Sequence, residues 1–228
     1  MKIALAIINK NEEQALPFVL DSIPYDCVDL LFCVDGGSND LSIEILEQKD
    51  ILVIKQEFSG RGDAFRLAFD FVSNRADAVI FFSPDGNEDP GDIPKFKGYL
   101  ESGADMVIAS RMMDGGVNEE DQHWIRTRKW GNLFFDWMAF LTWGRGQRRI
   151  TDAINGYRAI TTRTWNELQP DSEGYTIEYQ TSVRAYKKRK RVVEFATIEG
   201  HRIGGKSEAS AVSTGIRHCN LFCVTATG

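Results

Sequence analysis

The sequence predicts an α/β protein whose mostly parallel central sheet, wound in the Rossmann-like manner, is flanked by helices. Three observations predict it. Short apolar runs alternate with segments of helical periodicity from residue 3 to residue 109, and strict β–α alternation favours parallel, doubly wound strands joined by right-handed crossovers. The runs at 3–8 and 78–82 are continuously apolar, which marks strands covered on both faces. Three runs end in polar, acidic or Gly-rich turns, at Asn9–Glu12, Asp35–Asp40 and Ser83–Asp89. In such a sheet these turns converge on one edge, where open α/β sheets build ligand crevices.

The elements follow in order. Ile3 to Ile8 is the first strand, and Ala15, Leu16, Val19 and Leu20 give residues 11–21 a helical face. Val28 to Val34 is the second strand, and Leu41, Ile45 and Leu46 repeat helically before a short strand at 51–54. Gly60-Arg61-Gly62 opens a helix with apolar Ala64, Phe65, Ala68, Phe69 and Val72. Ala78 to Phe82 is the fourth strand, 93–100 a helix, and 105–109 a fifth strand ending at Ser110-Arg111.

Beyond Arg111 the pattern changes. Residues 112–122 are Gly- and acid-rich and are read as a mobile loop. Residues 124–143 are helical and unusually aromatic, with Trp130, Phe134, Phe135, Trp137, Phe140 and Trp143 beside basic Arg126, Arg128 and Lys129. Such a helix packs on the sheet or lies at a membrane interface, and amphipathicity does not separate the two. Ile150 to Thr161 is read as a strand, 177–188 as a helix and 191–198 as a last strand, followed by a polar segment from His201 to Ser207. The basic cluster at 187–191 suits a helix C-terminus or anionic lipid headgroups. His201 is expected at the surface, and residues 216–228 read as a short strand or a disordered end.

Composition narrows the class. The 228 residues, 43% hydrophobic and 11% aromatic, suit one folded domain with a proper core. A net charge of −6 argues against general nucleic-acid binding, which needs a basic footprint. Cys27, Cys33, Cys219 and Cys223 match no zinc spacing and are read as reduced thiols. The apolar start is one strand long, shorter than a signal peptide requires. No apolar run approaches the roughly 20 residues of a membrane helix. A soluble, cytoplasmic protein is expected, with peripheral contact at the inner face of a membrane left open.

The turn after the fourth strand carries the functional reading. Asp85 and Asn87 stand two apart around Gly86, and Mg²⁺ or Mn²⁺ takes one or two carboxylates plus substrate phosphates. The same residues also suit a plain polar turn. Together the three turns suggest a nucleotide-shaped crevice with a metal for the phosphates. No Gly-x-Gly-x-x-Gly follows the first strand and no P-loop signature occurs, so dinucleotide oxidoreductases and P-loop enzymes lose their main support.

The order Asn11-Glu12, Val34-Asp35-Gly36-Gly37-Ser38, Gly60-Arg61-Gly62, Ser83-Pro84-Asp85, Asp89-Pro90, Ser110-Arg111, Asp152 with Asn155-Gly156-Tyr157-Arg158, and Arg202 with Gly205-Lys206-Ser207 resembles the family 2 inverting glycosyltransferases of GT-A fold. The second half is most similar to dolichol- or polyprenyl-phosphate sugar transferases, and the resemblance covers residues 2–210. It implies one domain, with a nucleotide-binding half over 1–111, an acceptor-binding half over 112–210 and a tail over 211–228. It implies that Asn11, Glu12 and Asp35 line the nucleoside pocket of a nucleotide-diphosphate sugar donor, with Arg61 near it. Asp85 matches the second carboxylate of the family's Asp-x-Asp motif and Asn87 a further metal ligand, for Mg²⁺ or Mn²⁺. Arg111 and Arg202 would sit near the diphosphate or an acceptor phosphate, and Asp152 near the reacting sugar. Two departures stand out: Ser83 replaces the first Asp of the motif, and Gly36 replaces an Asp that often follows Asp35.

The reading is inverting transfer of a sugar to a polyprenyl phosphate. A cation held by Asp85 and Asn87 would offset charge on the leaving diphosphate. Arg111, Arg202 and Lys206 would dock an anionic acceptor. A hydroxyl acceptor would need a base, for which Asp152 is the candidate with Glu178 behind it. Three alternatives stay open: a soluble transferase acting on a saccharide or small hydroxyl; a nucleotidyltransferase, whose Gly-rich basic loop is missing at Asn9–Glu13; and a non-catalytic nucleotide-sugar-binding protein, motivated by Ser83. The sugar, the base and the oligomeric state are left open by these residues.

Overall fold

Alternation along β1 (Ile3–Asn9) shows how the sheet is built. Ile3, Leu5 and Ile7 join the core on one face, Ala4 and Ala6 the core on the other, and all five are fully buried. A strand buried on both faces has no polar side to alternate with, which is why the run is continuously apolar. β4 (Ala78–Phe82) repeats the design, with Phe81 facing one core and Ile80 and Phe82 the other. The computed structural model describes residues 1–122, 127–204 and 222.

The sheet has seven strands in the order β3-β2-β1-β4-β6-β5-β7. β1 pairs in parallel with β2 (Leu30–Asp35) and β4, and β2 with β3 (Leu52–Lys55). β5 (Met106–Ser110) pairs in parallel with β7 (Val192–Ala196). Between β4 and β5 lies β6 (Arg158–Thr161), antiparallel to both. The sheet is therefore mostly parallel, with one reversed strand that β–α alternation does not foresee. On one face pack α1 (Leu16–Leu20), α2 (Ser42–Gln48) and α4 (Ile93–Glu101), and on the other α3 (Arg61–Val72), α5 (Thr127–Trp143), α6 (Thr162–Leu168) and α7 (Ile177–Lys187). Aromatic pairs lock the second face: Phe65 stacks on Phe81 at 3.7 Å between centroids, and Phe69 on Trp165 at 4.2 Å. Offset or stacked rings add about 0.5–1.5 kcal/mol each beyond burial.

Three expectations are corrected. The strand read over 150–161 is confined to Arg158–Thr161. The N–H groups of Thr151, Asp152 and Ala153 donate to the carboxylates of Glu194 and Asp136, so they are not available to a ladder. The stretch read as a mobile loop is tied down: Val117 bridges Ile198 in parallel, and Glu119–Gln122 form a 3₁₀ turn. Where no element was expected, α6 starts at a Thr161 cap whose hydroxyl accepts from Thr164 N–H at 3.2 Å. Among the described residues the other strands and helices shift by a residue or two, except that the first helix shrinks from 11–21 to Leu16–Leu20, and the start of the helix read over 124–143 lies outside the described residues, which resume at Thr127.

Cys27 and Cys33 are free thiols, the second buried, and His201 is exposed. Cys219, Cys223, Trp124, Arg126, Gly205, Lys206, Ser207 and the tail lie outside the described residues, apart from Phe222, whose ring packs against Trp143. Among the described residues no helix is long and apolar enough to cross a membrane.

Candidate active site

Parallel pairing brings the ends of β1, β2 and β4 to one edge, with Asn9 in register with Asp35 and Ile7 with Phe82. Asp35 is fully buried there. Its carboxylate accepts from Asn9 Nδ2 at 2.9 Å, from the Gly37 and Ser38 N–H groups at 3.0 and 2.9 Å, and from Ser38 Oγ at 2.5 Å. Asn11, at φ 55°, gives its N–H to Ser38 Oγ at 2.9 Å and accepts the Asn39 N–H at 2.8 Å. These two predicted pocket residues thus shape the crevice wall by fixing both turns.

Glu12, Asp85 and Arg202 meet at the centre of that edge. Arg202 Nη1 donates to Asp85 Oδ2 at 2.8 Å and its Nη2 pairs with Glu12. Asp85 Oδ1 accepts the Asn87 N–H at 3.0 Å. Backbone bonds bring the 200–203 segment here: Gly200 N to Asn87 O and Ile203 N to Asp85 O, each at 2.8 Å. Burial pushes the Glu12 carboxyl up to about 7, against the pull of Arg202, and also raises Asp85. Glu88, which accepts the Ser83 N–H at 2.7 Å, is raised to about 8 by burial and by the charge of Asp85.

Arg61, the first residue of α3, reaches the same edge. It is ion-paired with the buried Glu178 of α7, and its Nη2 lies 3.3 Å from Ser83 Oγ. Gly156 makes that possible, since a Cβ there would stand 2.0 Å from Arg61 Nη2. The guanidinium therefore abuts Ser83 just past the end of β4.

The Asp152 centre lies beyond β5. Asp152 is fully buried, and Arg111 forks onto it through Nε at 2.8 Å and Nη2 at 2.9 Å, with the Arg111 N–H adding a bond at 3.0 Å. Arg111 Nη1 donates to Glu199 at 3.1 Å. Bidentate guanidinium–carboxylate pairs fix geometry as well as charge. Below them Arg158, fully buried, donates to the carbonyls of Asn155, Ala153 and Glu178 and to the hydroxyls of Thr181 and Ser182. Burial lowers it to about 10, leaving it a cation at neutral pH.

Among the described residues no group of three or more His, Cys, Asp or Glu could hold a metal by itself. What is present is a smaller set. Asn87 Oδ1 is buried with no partner, while the Asn87 N–H bonds the Asp85 carboxylate. A buried amide oxygen without a partner loses the free energy of a hydrogen bond, and a hard cation would supply the missing contact. One carboxylate, one amide oxygen and substrate phosphates fit Mg²⁺ or Mn²⁺.

Glu88, Glu199, Glu194 and Asp136 are the site residues that sequence reasoning left without a role. Two had a signal: Glu194 interrupts the apolar strand Val192–Ala196, and Asp136 is the single acid in the aromatic helix. Glu199 had none.

A seven-stranded, mostly parallel sheet with acidic turns and arginines at its carboxyl edge defines a GT-A transferase scaffold. The profile of "Glycosyl transferase family 2" matches residues 5–164, and the chain belongs to that family. It is 30% identical over 203 residues to an uncharacterized glycosyltransferase of Mycobacterium tuberculosis, covering 88% of this chain and 86% of that one. It is 27% identical to the polyprenol monophosphomannose synthase of Mycolicibacterium smegmatis, over 88% of this chain and 78% of that one. It is likewise 27% identical to the undecaprenyl-phosphate mannosyltransferase of Micrococcus luteus, over 92% and 88%. The glucosyl-3-phosphoglycerate synthase of M. tuberculosis, solved with Mn²⁺, UDP-glucose and phosphoglyceric acid, superposes with a TM-score of 0.79 at 19% identity, covering 99% of this chain and 80% of that one. That likeness shows the fold.

Proposed function

We propose that this family 2 glycosyltransferase moves a sugar, with inversion, from a nucleotide-diphosphate sugar to a polyprenyl phosphate. The observation that carries the donor half is the meeting of Asp85, Asn87, Arg61 and Arg202 at the sheet's carboxyl edge, where the unpartnered Asn87 oxygen awaits a cation. A bound Mg²⁺ or Mn²⁺ supplies positive charge against which the leaving diphosphate departs. Asp85 and Asn87 would hold it, and the Arg61 guanidinium beside Ser83 would add fixed positive charge where the family's first carboxylate is missing. Arg202, freed from Asp85 and Glu12 when the donor arrives, meets the diphosphate or the acceptor phosphate.

Two features favour a lipid phosphate over a hydroxyl. Both Asp152 oxygens already accept from the Arg111 fork, an arrangement that orients a group beside the sugar instead of leaving it open to take a proton. An acceptor phosphate is anionic near neutral pH and needs no base. In addition, Trp130, Phe134, Trp137 and Leu141 stand exposed along one stripe of α5, and Arg149 lies 4.6 Å over the Trp137 ring. An aromatic stripe with basic flanks suits peripheral contact with a membrane surface. The names of the two polyprenyl-linked relatives support the same acceptor.

The test is nucleotide release from UDP-, GDP- and other nucleotide sugars with Mg²⁺ or Mn²⁺, with and without polyprenyl phosphate. Release that requires both metal and lipid phosphate is expected. Release without lipid would move the acceptor to a soluble hydroxyl, and binding without release would leave a nucleotide-sugar-binding protein.

A further inference from the structure

The loop that carries Asp152 is gripped through its backbone on both polar sides. Thr151 N donates to Glu194 at 2.8 and 2.9 Å, Asp152 N to Glu194 at 3.1 Å, and Ala153 N to Asp136 Oδ1 at 3.0 Å. On the other side Arg158 takes the Ala153 and Asn155 carbonyls at 2.9 and 2.7 Å. Three consecutive N–H groups are thus held by two carboxylates, one from β7 and one from α5.

Asp136 is the unusual member. It sits at 1% exposure in the aromatic helix, and its Oδ2 is buried with no hydrogen-bond partner. Burial, joined by the charges of Asp152 and Glu194, pushes its carboxyl well above the usual range, with Arg149 pulling the other way. A buried acid with an unused oxygen is expensive in a core otherwise filled by Phe135, Ala139 and Tyr179. An apolar side chain of similar size would fill the place without that penalty, so the group has to act through the oxygen that is used. That oxygen holds the peptide immediately after Asp152, and it does so from the helix whose outer face carries the exposed aromatic stripe.

We propose that Asp136 is a positioning residue for sugar transfer: by holding the Ala153 N–H from α5 it sets the place of Asp152 and ties the acceptor-facing helix to the reaction centre. This rests on the reading of Asp152 as the group beside the reacting sugar. The bond needs an acceptor oxygen, and no negative charge is required of it. An amide therefore replaces the carboxyl, and an isosteric alkyl group does not. Misplacement of a reacting constellation by about 1 Å reduces turnover on the order of 100-fold.

The experiment compares Asp136→Asn, Asp136→Leu and Asp152→Asn in the full chain. It reads thermal stability, steady-state nucleotide release with Mn²⁺ and polyprenyl phosphate, and donor affinity by calorimetry. D136N is expected to turn over within about threefold of the parent. D136L is expected to lose kcat by roughly 10- to 100-fold, while the melting temperature and donor affinity stay near the parent's. Rate and stability parting in this way is what a merely structural role would not produce. If D152N abolishes release while D136L turns over normally, the positioning role is overturned and the Asp152 reading stands. If D152N itself turns over normally, the Asp152 reading fails and the proposal falls with it. Equal loss in D136N and D136L would show that charge, not the acceptor oxygen, matters, and would also overturn it. Should D136L not fold, amide exchange at Ala153 decides: protection kept in D136N supports the bond, and protection lost overturns it.

Discussion

The two sides of the carboxyl edge are built by different rules. On the donor side two turns close partly on themselves, Asp35 taking the N–H groups two and three residues on and Asp85 the N–H two residues on, alongside longer links through Asn9, Asn11 and Arg202. On the Asp152 side the bonds run across the chain, 41 residues from Arg111 to Asp152, 88 from Arg111 to Glu199, and 42 from Glu194 to Asp152. A turn that closes on itself leaves its signature in adjacent letters. A centre assembled from β5, β7, α5 and an irregular loop leaves only scattered letters, such as the lone acids Glu194 and Asp136 in apolar elements. The difference teaches where chemistry tolerates change, because a local turn re-forms around a substitution more readily than a charge network anchored in four elements.

The sharpest way to break this comparison is Asp85→Ala. It removes the one carboxylate beside Asn87 without touching the core, so nucleotide release should fall about 10³-fold. The melting temperature should move by no more than about 4 °C, the shift that ~1 kcal/mol gives a chain of this size. Release retained above roughly a tenth of the parent's would place the diphosphate elsewhere than at the end of β4. On the other side, Arg111→Lys keeps the charge but loses the fork. Here rate and stability should fall together, kcat by roughly 10- to 100-fold and stability by about 2–4 kcal/mol, because Asp152 is left buried with a poorer partner. A rate loss without a stability loss would show that Arg111 acts on substrate and that the network does not depend on it.

Gly156→Ala probes the seam between the two sides. Its new methyl would collide with the Arg61 guanidinium, which is packed between Ser83 and Glu178. Relief requires Arg61 to leave one of them. A destabilisation of about 1–3 kcal/mol is expected from the overpacking, with donor KM rising roughly tenfold, equivalent to ~1.4 kcal/mol of binding. Urea unfolding and nucleotide-sugar titration measure the two separately, and an unchanged KM would remove Arg61 from the donor site.

This contrast also explains how much was legible in the letters. Strand ends at Asn9, Asp35 and Phe82 could be read because continuous apolar runs stop there. The meeting of Asp85 with Asn87 could be read because they are two residues apart. Arg202 was placed near a phosphate by resemblance alone, and nothing in its neighbourhood announces that it spans Glu12 and Asp85. The strand expected through Asp152 failed because its apolar and polar letters fit a ladder, whereas Glu194 and Asp136, distant in the chain, claim the N–H groups first. The reversed direction of β6 was invisible for a similar reason: direction is set by which neighbours a strand finds, and its own sequence is silent on that.

The smallest effect isolates the share of Glu194 in the pH dependence of stability. Burial raises Glu194 to about 7 from an ordinary 4.5, partly countered by the Thr151 and Asp152 N–H groups. The folded state therefore binds this proton more tightly than the unfolded chain. Its contribution to stability is fully present below about 4.5 and is lost as pH rises through about 7. Glu12 and Glu88, raised to about 7 and about 8, act with the same sign from the donor side. Without donor, the melting temperature should fall between pH 5 and pH 8, and Glu194→Gln should flatten that fall by roughly 2–6 °C. The slope that survives in the Gln variant then belongs to the remaining raised acids, Glu12, Asp85, Glu88, Asp136 and Glu178. If the variant keeps the whole slope, Glu194 contributes nothing to it, and its buried carboxyl ionises as an ordinary one does.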